Sequence, residues 1–275
     1  MGGREPTFLI VGVPKAGTGA LASALGQHPD VYSHPLKELH YFDHQARQRD
    51  LSWYHEQFAK ADDATAVGEA TPTYALHDDW VAAASRALPH ARIILQVRDP
   101  VERLWSSYWF FRIFGLEQRS LREVVEQDLS EIPANNMSVQ HVSPGRYDDI
   151  YARVVRAWPE SQVLVIDAAE LQAAADEPVS RACEHIGVAP LPLDPGTGYN
   201  RVTMPRSERL QRILRAAYPR LPGRQMVWKL ARMNLSNRRP PELEDDLRER
   251  LREYYEPHTQ AFERQLGRRF SAWRV

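Results

Sequence analysis

The chain has 275 residues, 43% of them hydrophobic, and 35 lysines and arginines against 36 aspartates and glutamates leave a formal net charge of −1. This composition suits a water-soluble globular chain able to bury a large core, and it excludes disorder and collagen-like repeats. The single cysteine, Cys183, excludes an intramolecular disulfide and a four-cysteine zinc site, which fits a cytoplasmic address.

The first apolar run, Phe8-Leu9-Ile10-Val11, is cut off by Gly12, Pro14 and Lys15, so it is too short for a signal-peptide core or a membrane span. It reads as a strand from Thr7 to Val13, followed by a helix from Gly19 to Gln27. Further strands are expected over 66–69, 91–97 and 162–166, and helices over 78–88, 101–114 and 147–158. Glu131 to Gly145 shows no periodicity and reads as a substrate-facing lid or a surface loop. After Pro190 the pattern is helical only, ending in a charged amphipathic stretch from about Pro241 to Leu266. Short Val/Ile-rich strands alternating with helices predict an α/β fold: a P-loop-like central parallel sheet flanked by helices, with a helical C-terminal segment. No linker separates two parts, so residues 1–275 are expected to form one domain.

Charge is concentrated between Arg201 and Arg239, where ten arginines and Lys229 face the single acid Glu208. The segment reads as solvated helix faces or as a holder of phosphate-rich ligand. No nucleic-acid-binding motif accompanies it, so DNA and RNA are not expected partners.

Strand one runs into Gly12-Val13-Pro14-Lys15-Ala16-Gly17-Thr18-Gly19 and then a helix, an arrangement that aims backbone N–H groups and a helix N-terminus at a phosphate. Lys15 adds a cation and Thr18 a hydroxyl donor. The nucleoside-triphosphate loop G-x-x-x-x-G-K-[ST] is not met, because Thr18 follows Gly17 directly.

A second anion site is expected where Ile93-Ile94-Leu95-Gln96-Val97 ends in Arg98-Asp99-Pro100, at the carboxyl end of a buried strand. Ser106 lies in the first turns of the following helix. An arginine fork plus a hydroxyl suits a second phosphate, although Arg98 could pair with Asp99 or Glu102 and Ser106 could bond its own helix. Two such sites suit a nucleotide phosphorylated at two separate positions.

On these motifs the sequence resembles the sulfotransferases that use 3′-phosphoadenosine 5′-phosphosulfate (PAPS), and within them the heparan sulfate glucosaminyl sulfotransferase domains and their bacterial relatives. Pro14-Lys15-Ala16-Gly17-Thr18 is similar to the family's 5′-phosphosulfate loop, and Arg98-Asp99-Pro100 with Arg103, Ser106 and Tyr108 to its 3′-phosphate motif. The likeness continues through Lys37-Glu38-Leu39-His40-Tyr41-Phe42-Asp43, Glu69-Ala70-Thr71-Pro72-Thr73-Tyr74 and Leu251 to Pro257. The resemblance implies that Lys15, Ala16, Gly17, Thr18 and Gly19 hold the 5′-phosphosulfate, that Arg98 and Ser106 grip the 3′-phosphate, and that Arg238 closes over the nucleotide. It further implies sulfuryl transfer to a hydroxyl or amine of a small-molecule, lipid or carbohydrate acceptor, with Lys15 at the bridging oxygen and Glu38 as general base.

His40 and Asp43 would then orient the acceptor or tune Glu38. On the residues alone, His40 could equally be a buried structural imidazole and Asp43 a helix cap. Relatives acting on glycosaminoglycans carry Lys where this chain has Ala70, which weighs against an acidic sugar-polymer acceptor. No metal-ligand spacing is present, and the family needs no metal for transfer. Trp105, Trp109, Phe110 and Phe111 are expected in the core. The alternatives are a P-loop-type metabolite kinase, which would need Mg²⁺ and ATP, and a nucleotide-binding protein that transfers nothing.

Overall fold

The computed structural model describes residues 3–36, 38–44, 46, 48–114, 116–130, 141–194, 196, 204–217, 226, 229–230, 233–236 and 238–274. Most of the expected Glu131–Gly145 lid, residues 131–140, lies outside the described residues. The chain divides into two compact units, the first comprising Met1–Pro100, Arg146–Tyr199 and His258–Val275, the second Val101–Gly145 and Asn200–Pro257.

The first unit is built on five strands, β1 (Phe8–Gly12), β2 (Val31–Ser33), β3 (Ala66–Ala70), β4 (Arg92–Val97) and β5 (Val163–Asp167), in the order β2-β3-β1-β4-β5. Every pairing is parallel. Strand β1 is buried along its whole length, which is why its sequence is continuously apolar rather than alternating. Its alternate side chains still serve opposite faces. Phe8 and Ile10 pack with Leu21, Leu25, Val179 and Ala182, whereas Leu9 and Val11 pack with Val81, Ala84, Val154 and Phe262. These partners come from α1 (Thr18–Leu25) and α8 (Asp176–His185) on one face, and from α3 (Asp78–Ala87), α6 (Tyr147–Ala157) and α10 (Asp245–Leu266) on the other. Gly68, opposite Phe8 in β3, is required by close approach, because a Cβ there would lie 2.2 Å from the Phe8 carbonyl oxygen.

The four expected strands and the four helices expected before Pro190 are all present. Four elements of this unit were not foreseen, α8 among them. Strand β2 has only three residues, too few to show a period, and takes its place by pairing Val31 with Ala66. Helix α2 (Leu51–Glu56) is started by Asp50, whose carboxylate accepts the Trp53 N–H at 3.0 Å. Helix α7 (Ala168–Ala173) is capped in the same way by Asp167.

The second unit holds α4 (Pro100–Ile113) from Val101 onward, α5 (Leu121–Ser130), α9 (Glu208–Ala217) and the part of α10 up to Pro257. Its core joins Val101, Leu104, Val125, Val142, Leu243, Leu247, Leu251 and Tyr255. Of the four α4 aromatics expected inside, Trp105, Trp109 and Phe111 are half-buried and Phe110 is 38% exposed, near the helix end, with its ring 4.9 Å from that of Phe114. In the 201–239 segment, Arg206, Arg209, Arg212, Lys229, Arg238 and Arg239 are exposed. Among the described residues no helix is long and apolar enough to cross a membrane.

Candidate active site

Strand β1 continues to one side of the sheet and β4 to the other, so the crevice between their carboxyl ends is the switch point at which open parallel sheets bind ligands. The Lys15 loop leaves β1 at this point and is fastened to β4. The Val13 N–H donates to the Gln96 carbonyl at 2.7 Å, and the Gln96 side-chain amide donates to the Ala16 carbonyl at 2.8 Å. Lys15 and Gly17 have φ of 72° and 90°, the left-handed conformation that turns the chain sharply into α1.

At the start of α1 the Ala20 N–H returns to the Gly17 carbonyl at 2.8 Å. The amides of Gly17, Thr18 and Gly19 find no acceptor among the described residues, and the first turn contains no acidic side chain. The positive end of α1 therefore meets no acidic side chain in its own first turn. Ala16 and Gly17 form this turn, and Thr18 and Gly19 open α1. Gln96 was missed; its signal was a lone polar residue inside the apolar run Ile93 to Val97.

Glu38, His40 and Asp43 form one hydrogen-bonded row. His40 Nδ1 lies 2.8 Å from Asp43 Oδ2, and His40 Nε2 lies 3.2 Å from Glu38 Oε2. The row runs from the interior to the surface, with side-chain exposure of 0% at Asp43, 31% at His40 and 46% at Glu38. Thr73 donates its hydroxyl to the same Asp43 oxygen at 2.6 Å, fixing it from the other side. The hydrogen bonds to Asp43 and then Glu38 push the His40 imidazole up to about 10, against the opposing effect of burial. Burial alone would raise the Asp43 carboxyl, but the bonds from His40 and Thr73 bring it below its ordinary value. His40 is therefore an imidazolium between two carboxylates at neutral pH, and Asp43 is its buried counter-ion rather than a helix cap.

Glu38 and His40 both adopt positive φ, 65° and 52°. With Lys15 and Asp62 they are the non-glycine residues with positive φ among the described residues, so three of the four lie at candidate catalytic positions.

Arg98 stands directly after β4, its carbonyl accepting the Tyr147 hydroxyl at 2.6 Å. Ser106 and Arg238 belong to the second unit. Ser106 is buried within α4, at 2% exposure, and Arg238 is exposed, its backbone tied to Met204 and Ser236. Although the sequence has no metal-ligand spacing, single atoms of His40, Asp43 and His44 gather within 4.8 Å. Both His40 nitrogens there face carboxylates, which suits a proton on each rather than a metal.

The Lys15 loop at the switch point of the parallel sheet and the Glu38–His40–Asp43 row lie in the same compact unit. The family profile described as Sulfotransferase domain matches residues 5–263, and the chain belongs to that family. It is 35% identical over 108 residues to the membrane-associated sulfotransferase kil1 of Dictyostelium discoideum, covering 38% of this chain and 23% of that protein. It is 25% identical over 281 residues to heparan sulfate glucosamine 3-O-sulfotransferase 3B1 of Homo sapiens, covering 96% of this chain and 64% of that protein. The chain thus spans less than two thirds of the length of these curated relatives. The crystal structure of a sulfotransferase from Alicyclobacillus acidocaldarius superposes with a TM-score of 0.73 at 25% identity, over 99% of this chain and 100% of that one.

Proposed function

We propose that the protein transfers the sulfuryl group of PAPS to a hydroxyl or amine of a small-molecule, lipid or carbohydrate acceptor, with Glu38 as general base. The observation that carries this reading is the Glu38–His40–Asp43 row, which presents a half-exposed carboxylate held by an imidazolium. The Lys15 loop fits the donor's 5′ end, since three amides and an uncapped helix N-terminus await an anion there. Arg98, Ser106 and Arg238 would serve its 3′-phosphate.

When bound, the donor supplies an activated sulfuryl group whose leaving group is a 5′-phosphate. The protein's part is positioning and charge neutralisation. Glu38 takes the proton of the attacking hydroxyl as the new oxygen–sulfur bond forms, and the adjacent imidazolium keeps its carboxylate oriented. Lys15 neutralises charge developing on the bridging oxygen as that bond breaks. No metal is needed in this scheme.

The test is transfer of ³⁵S from labelled PAPS into a small-molecule extract of the source cells, in chelator. A labelled product supports the reading and supplies the acceptor for mass analysis. No label in chelator, together with Mg²⁺-dependent phosphate transfer from labelled ATP, would replace it with a kinase.

A further inference from the structure

The peptide carrying Glu38 and His40 holds two left-handed residues within three positions, and all four of its amides, from Glu38 to Tyr41, end on a single stretch of chain. Glu38 N–H donates to the Ala70 carbonyl at 3.2 Å, and His40 N–H approaches the Thr71 hydroxyl oxygen at 3.4 Å. Tyr41 N–H donates to the Tyr74 hydroxyl oxygen at 2.9 Å, and Leu39 N–H donates to the Glu69 carboxylate. Two of these acceptors are hydroxyls, which must give their own protons elsewhere to keep lone pairs facing the turn. Both give them to Glu69, from Thr71 at 2.6 Å and from Tyr74 at 2.8 Å, and Tyr54 adds a third hydroxyl at 3.2 Å.

Glu69 is 1% exposed and has no basic partner among its hydrogen bonds. Three hydroxyls and one amide converge on its two oxygens, the donor set an ionised carboxylate accepts. Burial pushes this carboxyl above its ordinary value while the four donors pull it back.

We infer that Glu69 is a positioning residue for the transfer reaction: as a buried acceptor it sets the direction of the Thr71 and Tyr74 hydroxyls, and through them holds the strained turn that aims Glu38 and His40. This rests on the proposed role of Glu38. Glu69 acts here through its acceptor character. In Glu69→Gln one oxygen becomes an NH₂ donor of nearly the same shape. One hydroxyl must then reverse and point its proton at a backbone N–H.

The experiment compares wild type, Glu69→Gln and Thr71→Val, which removes both the His40 amide acceptor and one of the hydroxyls on Glu69. Hydrogen exchange of amides 38–41 is read together with affinity for the product nucleotide 3′-phosphoadenosine 5′-phosphate, and with kcat and KM for transfer. Both variants are expected to lose protection at 38–41 while keeping nucleotide affinity, and to lose about 100-fold in kcat with little change in KM. Wild-type protection and kcat in Glu69→Gln would overturn the inference. If Glu69→Gln fails to fold, unchanged protection of the 38–41 amides in Thr71→Val would do the same. Because exchange is measured without any acceptor, a wild type inactive in transfer would count against the sulfotransferase reading and leave this one decided by protection.

Discussion

The side-chain amide of Gln96 lies 2.8 Å from the carbonyl oxygen of Ala16. A buried residue next to the carboxyl end of β4 thereby holds the Lys15 loop at Ala16, and the same residue's backbone carbonyl holds its beginning through Val13.

Gly17 is where this arrangement tolerates least. A Cβ there would lie 3.2 Å from Gln96 Nε2, at a φ of 90° that side chains avoid. Gly17→Ala is expected to cost about 1–2 kcal/mol from the left-handed backbone. It should weaken binding of 3′-phosphoadenosine 5′-phosphate, measured by calorimetry, more than it lowers the melting temperature.

Glu38→Gln removes the proposed base while leaving the loop intact. Turnover should fall by about 10²- to 10⁴-fold with nucleotide affinity unchanged. Near-wild-type kcat, with the same pH dependence, would remove Glu38 from the mechanism.

His40 makes stability depend on alkaline pH. Its folded value of about 10 stands above the ordinary 6.5, so the folded state holds a proton that the unfolded chain releases. The contribution is complete below about 6.5 and is lost as pH rises through about 10. The difference in denaturant stability between wild type and His40→Gln should therefore shrink between pH 7 and pH 10.5, and the wild-type imidazole should be protonated at both nitrogens by NMR at pH 8.

In the second unit the sign is opposite. His141 is fully buried with Nδ1 3.0 Å from the Ser107 hydroxyl, and burial, reinforced by Arg103, lowers it to about 4. The unfolded chain then takes up a proton near 6.5 that the folded one refuses, so stability falls as pH drops from about 6.5 to about 4. Replacing His141 with Gln should flatten the urea midpoint between pH 7 and pH 5, and an unchanged slope would show that another group carries the acid sensitivity. Glu117 acts at still lower pH: despite burial, its bonds from Arg119 bring it from the ordinary 4.5 down to about 2, so its contribution is present above about 4.5 and is lost as pH falls through about 2.

The sheet was legible because a parallel strand covered on both faces must be continuously apolar, and β1, β3, β4 and β5 lie within a residue or two of where that pattern puts them. The loop between Val13 and Gly19 was legible for a related reason: few residue types can make that turn. What the sequence could not display was direction. His40 and Asp43 are three residues apart, but nothing in that spacing says that Nδ1 faces Asp43 and Nε2 faces Glu38, since the choice depends on Thr73 arriving from 30 positions downstream. Gln96 and Glu69 were hidden in the same way. Each is a polar residue in or ending an apolar strand, and its role is defined only by what lies on the neighbouring strand or turn.

The parallel pairing of β1 has a consequence for the order in which this protein can be made. Phe8 pairs with Gly68 on one side and Arg92 on the other, so β1 has no hydrogen-bonding neighbour nearby in sequence. Such long-range closures form late, after the entropy of the intervening chain has been overcome. During synthesis, the loop that would receive the nucleotide has neither of its Gln96 fastenings until β4 has left the ribosome and docked. Nascent chains shorter than this expose an apolar strand and an unshaped loop. A ligand of the finished loop would therefore assist the last stages of folding and do nothing for the first.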